Sequence, residues 1–134
     1  MSLLKDLRHK PAGLTAASKY TVLNGIGYLV VGVILIFWPG VIQTVFREPA
    51  FVGNEQALMR VIGLTIVVIG WLYFFGGRSE TRQFIAASVV DRLVFVPAVL
   101  IPLAIAGVFP RLFLTFAVLD AVLAIGAWAL LGRE

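Results

Sequence analysis

Residues 112–131 read LFLTFAVLDAVLAIGAWALL, twenty positions in which Thr115 and Asp120 carry the only hydroxyl and the only charge. At a rise of 1.5 Å per residue, about 20 apolar residues in a helix cross the hydrocarbon core of a bilayer. The stretch therefore reads as a transmembrane helix with a carboxylate near its middle. Every charged group at such a depth has to be explained, so this one segment sets both the fold question and the functional one.

Three further windows upstream have the same character. They run from about Tyr20 to Phe46, densest from Val22 to Trp38 and broken at Pro39-Gly40; from about Ala57 to Phe75, stopping at Gly76-Gly77-Arg78; and from about Phe84 to Phe109, interrupted by Pro97 and Pro102 and closed by Pro110. The links between them are short, at Arg47-Glu48-Pro49, at Arg78-Ser79-Glu80-Thr81-Arg82 and at Pro110-Arg111. Short links make consecutive helices antiparallel neighbours. The expected fold is an all-α membrane protein, an antiparallel bundle of four transmembrane helices over residues 20–134.

Residues 1–19 are expected to form a cytoplasmic or interfacial segment. Leu3, Leu4 and Leu7 alternate there with Lys5, Asp6, Arg8 and Lys10, the pattern of a short interfacial helix that Pro11 and Gly13 would end. A cleavable signal peptide is not expected, because the apolar run from Tyr20 is too long for a signal core.

Composition supports the same solvent. Of the 134 residues, 60% are hydrophobic and 13% charged, against about 25% charged in soluble domains. A domain this small cannot hide that much apolar surface from water. The net charge of +4 comes from residues in the tail and at span ends, with no interleaved basic and aromatic patch, so nucleic acid is not an expected partner. The chain has no cysteine, and its one histidine, His9, lies in the tail. Disulfides, thiolate metal sites and histidine-based metal or haem sites within one chain are excluded by that inventory, so no metal and no intrinsic cofactor is expected.

Lys5, Arg8, Lys10, Lys19, Arg78, Arg82 and Arg133 fall on the side of the N-terminus, whereas Arg47, Arg111 and Arg60 fall on the other. By the positive-inside rule both termini of this multi-pass protein are expected to be cytoplasmic. Trp38, Trp71, Tyr73 and Trp128 lie near span ends, where aromatic anchors are expected.

The residues that do not belong in lipid are Arg60, Asp91, Arg92 and Asp120. A charge near the bilayer centre costs at least about 2.5 kcal/mol even on insertion scales. Helical spacing puts Arg60, Gly63, Val67 and Gly70 on one stripe; Ala117, Asp120, Ala124 and Ala127 on another; Gly25, Tyr28 and Gly32, with Asn24 beside them, on a third; and Ser88, Arg92, Phe95 and Val99 on a fourth, with Asp91 about 100° away. Small residues mark the faces along which membrane helices approach. All four helices are thus expected to turn a small or polar face to a common interior, where Arg60, Arg92, Asp91 and Asp120 meet. Two readings of such a network stand side by side: a ligand or proton site, and mutual neutralisation that fixes helix register. Pro97 and Pro102 free the carbonyls of Leu93 and Ala98, which also need partners in a dry medium.

The steps Met59-Arg60-Val61-Ile62-Gly63, Ile69-Gly70 and Asp91-Arg92-Leu93, with an acid in the fourth span, resemble the DoxX-like group of small four-helix bacterial membrane proteins. Within that group the likeness is to the BphX-like family, associated with aromatic-compound degradation clusters. The resemblance covers nearly the whole chain from Tyr20. It implies the four-helix fold, a location in the bacterial inner membrane, a membrane or oxidoreductase partner protein of the kind quinone-linked enzymes have, and Arg60, Arg92 and Asp120 as candidate positions, with no catalytic set carried over.

Three functions follow from these residues. The leading one is a binding or accessory subunit whose bundle core holds a hydrophobic small molecule, a quinone, lipid or aromatic compound, with Arg60 and Arg92 as donors to its oxygens. The second is a proton-coupled transporter or channel subunit, requiring a homo-oligomer and using Asp120 as relay. The third is an intramembrane enzyme with Asp120 or Asp91 as general acid or base.

Overall fold

Thr15 is extended and its side chain accepts from the Ser18 N–H, a helix cap that starts the first long helix four residues before Tyr20. In this computed structural model, which describes residues 2–11, 13–79 and 81–134, the helices are α1 (Leu3–Leu7), α2 (Ala16–Phe37), α3 (Val41–Phe46), α4 (Glu55–Arg78), α5 (Arg82–Val90), α6 (Val96–Ile105) and α7 (Pro110–Leu131). Met1 and Ala12 of the tail, and Glu80 in the link between the second and third spans, lie outside the described residues. A π-helical turn, Asp91–Phe95, joins α5 to α6 into one rod. Four rods are long and apolar enough to cross a membrane: Ala16–Phe37, Glu55–Arg78, Arg82–Ile105 and Pro110–Leu131. No strand occurs among the described residues.

The span boundaries differ from the sequence expectation for local reasons. The first span is not continuous to Phe46: it ends at Phe37, and Trp38-Pro39-Gly40 turns the chain into the separate α3. The third span stops at Ile105 rather than Phe109. There Gly107, at φ 87°, donates to the Ala104 carbonyl and Val108 donates to that of Leu103, the paired bonds of a Schellman end with glycine in the left-handed position. The tail helix is α1, which ends at Leu7, well before Pro11. Arg78 Nη2 holds the tail against α4 through the His9 carbonyl, 3.1 Å away.

Glycines at seven-residue intervals bring α2 and α4 together. A Cβ on Gly25 would lie 2.5 Å from the Phe74 nitrogen and 2.8 Å from the Gly70 oxygen; one on Gly32 would lie 2.7 Å from the Gly63 oxygen; one on Gly77 would lie 3.1 Å from the Ser18 oxygen. Each pair runs in opposite directions along the two helices, so the seam is antiparallel. Close approach of this kind lets dispersion and backbone contacts hold helices that gain nothing from hydrophobic burial in lipid.

The common interior expected from the stripes forms only in part, because the small-residue faces are spent on pairwise seams. Glycine faces are used between α2 and α4, and the alanine face of α7 packs with α2 and α5 around Ala17, Ile85, Val89, Ala124, Ala127 and Leu131. A second apolar cluster, Leu35, Ile42, Met59, Leu112 and Phe113, closes the opposite end. The α2–α4 pair meets the α5–α6–α7 group mainly where α2 packs on α7, and α4 scarcely touches α6. Outside, Leu23, Val30, Val33, Leu64, Val68, Val94, Val99, Val118, Val122 and Ile125 are exposed along the rods. An apolar belt of that extent belongs against lipid and not water. The chain is a multi-pass membrane protein.

Candidate functional site

Between the two apolar clusters the bundle holds a polar centre. Asp120 sits midway along α7, in line with the small residues Ala117 and Ala124 that let α2 come close, and Tyr28 of α2 donates to its Oδ1 at 2.5 Å. Tyr73 of α4 donates to Asp91 Oδ2 at 3.0 Å. The two tyrosine rings meet edge to face, with centroids 5.5 Å apart. Each carboxylate is thus held by a phenol from the other half of the bundle.

Arg92 is 1% exposed. Its Nε donates to the Ser88 carbonyl at 3.1 Å and its Nη2 to Ser88 Oγ at 3.3 Å, one turn back along its own helix, while the guanidinium lies 5.2 Å from the centroid of the Tyr73 ring. The remaining nitrogen, Nη1, is enclosed with no partner. No carboxylate comes within ion-pair distance of Arg92 among the described residues, where the one ion pair is Arg82 with Glu134 at 3.7 Å. The expected Arg–Asp contact is replaced by a looser arrangement in which tyrosine hydroxyls bond the acids and the guanidinium stacks on an aromatic face. Such a cation–π contact strengthens where water is excluded.

The π turn decides which residues face this centre. Pro97 has no N–H to give, and in the turn before it the Val96 N–H reaches back five residues to the Asp91 carbonyl. The wider turn brings Asp91 and Arg92 to the same cavity and continues the inward face through Val96 and Leu100. Phe95 and Val99, expected on the face of Ser88 and Arg92, point outward and are exposed. π turns of this kind recur at functional sites.

Beside the polar centre lies a cavity of about 200 Å³. Tyr28, Tyr73, Asp91, Arg92 and Asp120 line it together with the apolar side chains of Ile62, Ile66, Ile69, Val96, Leu100, Leu112, Phe113 and Phe116. The α4 and α6 residues in that wall are half-buried, so the cavity lies on the side where those two helices part.

Of the polar residues expected to face the interior, Tyr28, Asp91, Arg92 and Asp120 line the cavity. Asn24 is buried on α2, but its Nδ2 has no partner and it does not line the cavity. Arg60 is elsewhere. Its glycine stripe packs on α2, so Arg60 extends along that seam to the end of α2, where Nη1 donates to the exposed Ile36 carbonyl at 2.7 Å. A cation there satisfies a carbonyl left open where the helix stops before Pro39. Tyr73 was expected as an interfacial anchor and is instead buried, at 6% exposure, in the site. Its place was readable from the Ile62–Ile66–Ile69–Tyr73 stripe, which shares a helical face. Helical spacing puts Ser88 on the face of Arg92 but does not mark it as the acceptor that it is.

Two carboxylates outside the site fix the bundle ends. Glu48, 5% exposed, accepts from the Leu112 N–H in the first turn of α7 at 2.8 Å, and Glu134 accepts from the Ala17 N–H in the first turn of α2 at 3.0 Å. Both meet the free N–H groups and the positive end of a helix. No family model, curated protein or solved structure matches this chain.

Proposed function

We propose that this protein is a membrane binding or accessory subunit that holds a small hydrophobic molecule in the cavity between α4, α6 and α7. The observation that carries the reading is the cavity itself: about 200 Å³ of apolar wall ending at Tyr28, Tyr73, Asp91, Arg92 and Asp120. Apolar lining with a few convergent polar groups is the usual make-up of a small-molecule site. A cavity of about 150 Å³ is enough for benzene, so the volume suits one aromatic ring, whether a free aromatic compound or the head of a quinone whose tail leaves between α4 and α6. Arg60 has no part in it. Membership of the DoxX-like group belongs to the same proposal, carried by Asp91-Arg92-Leu93 and Asp120.

The cytoplasmic side is taken to be the one holding α1, Arg78, Arg82 and Arg133, opposite Arg47, Arg60 and Arg111. The placement in a bacterial inner membrane rests on the DoxX-like resemblance.

The test is extraction of the purified protein followed by mass spectrometry, together with thermal unfolding in the presence of single-ring compounds. A compound enriched over an empty-membrane control, stabilising the wild type and not an Ile66→Trp variant that fills the cavity, supports the reading. Unfolding temperatures that no compound moves, with no enriched molecule, overturn it.

A further inference from the structure

Two oxygens of the cavity-lining acids have no partner in the protein. Tyr28 serves Oδ1 of Asp120 and Tyr73 serves Oδ2 of Asp91, whereas Asp120 Oδ2 and Asp91 Oδ1 accept from no group among the described residues. Unlike Arg92 Nη1, neither oxygen is sealed, and both acids line the cavity. The donors nearby are already engaged. Both tyrosine hydrogens go to the carboxylates, Arg92 Nε and Nη2 go to Ser88, and Nη1 is enclosed. The polar end of the cavity thus offers two open acceptors, while its one cation, Arg92, is 1% exposed and turns two of its N–H groups to Ser88.

Resting on the ligand-binding reading above, we infer that the occupant is a neutral single-ring molecule carrying a hydroxyl, a phenol-type compound whose O–H donates to Asp120 or Asp91. An anionic ring would bring a third negative charge beside two carboxylates, in a medium where charge interactions are little screened. A ring with an acceptor alone would leave both oxygens unpaired. A cationic ring would have to shed its hydration on entering the bundle core, a large cost that a neutral hydroxyl does not carry. The hydroxyl needs no charge and completes a charge-assisted hydrogen bond, roughly twice as strong as a neutral one. A site built around such a bond discriminates strongly against analogues that lack the donor, because its own polar group is then left unmatched.

Five rings of nearly equal size separate these cases: 4-fluorophenol, 4-fluoroanisole, 4-fluorotoluene, 4-fluorobenzoate and 4-fluorobenzylamine. Binding to the full chain in lipid nanodiscs is read by fluorine NMR against empty nanodiscs. The expected result is that the phenol binds roughly tenfold or more tighter than the anisole and the toluene. That preference should shrink in Asp120→Asn and in Asp91→Asn, two variants that keep side-chain shape and can each be checked for an intact fold. Equal binding of phenol, anisole and toluene overturns the hydroxyl assignment and leaves the cavity reading standing. Tightest binding of the benzoate or the benzylamine overturns neutrality. A phenol preference that both Asn variants retain overturns the role of the acids. Binding of none of the five overturns this inference and the functional reading with it.

Discussion

The hydroxyl of Tyr28, in the second half of α2, donates to Oδ1 of Asp120, midway along α7, and among the described residues no other side chain of α2 bonds an acid. Tyr28→Phe removes that donor and leaves the Asp120 carboxylate without a partner in the protein. A buried acceptor so abandoned costs about 1–3 kcal/mol, and more when charged. Thermal unfolding in detergent should show a clear loss for Tyr28→Phe and a smaller one for Tyr28→Phe combined with Asp120→Leu than the two single losses add up to. Strict additivity would mean that the pair is not coupled.

Arg92 is a full charge in the bundle with no carboxylate in contact. Arg92→Met keeps most of its volume and leaves Asp91 and Asp120 without a nearby cation. Leaving buried polar groups unmatched typically costs about 1–3 kcal/mol, and more when they are charged. The expected outcome is a strongly destabilised protein that Asp120→Asn, added to the same chain, partly restores. If Arg92→Met unfolds at the wild-type temperature, the guanidinium is not balancing those acids.

The glycine seam makes a paired prediction inside one helix. Gly25 and Gly27 differ by two positions, yet a Cβ on Gly25 would collide with the α4 backbone, whereas one on Gly27 meets nothing within 4 Å. Gly25→Ala should therefore lower the unfolding temperature markedly, because backbone and not a flexible side chain would have to yield. Gly27→Ala should be neutral or stabilising, by up to about 1 kcal/mol, through helix propensity. Similar losses in both would place the α2–α4 contact somewhere else.

The contrast between Gly25 and Arg60 shows what the sequence could carry. Window counting found four spans, and the stripes correctly marked Tyr28, Arg92 and Asp120 as buried. A stripe says that a face is covered, but not by which neighbour. The Gly63–Gly70 face is covered by α2 alone, and that single fact moves Arg60 from the interior to the end of α2. The π turn was equally out of reach, since Pro97 announces a disturbance without saying whether the helix kinks or widens. Span ends were partly legible: Gly107 after an apolar run marks a helix end, while the Thr15 cap was masked by the stronger apolar onset at Tyr20.

Arg60 supplies a prediction from that correction. Arg60→Gln removes an exposed cation that meets the Ile36 carbonyl at the end of α2. A charge at a helix end contributes about 0.3–1 kcal/mol. Stability should fall by no more than that, and single-ring ligands should bind as to the wild type. A loss of binding in Arg60→Gln would return Arg60 to the site.

Orientation can be read with unusual clarity because the chain has no cysteine, so any introduced thiol is the sole target. Asn54 and Ser79 are both exposed in connections at opposite ends of α4. If Lys5, Arg8, Lys10, Lys19, Arg78, Arg82 and Arg133 mark the cytoplasmic face, a membrane-impermeant maleimide added to intact spheroplasts labels Asn54→Cys and spares Ser79→Cys until the membrane is opened. The reversed pattern would invert the topology. It would also put the seven cations outside, against the bias that sets orientation in other multi-pass proteins. Labelling of both in intact cells would mean that α4 does not cross the bilayer, and with it the four-span reading of residues 16–131 would fail.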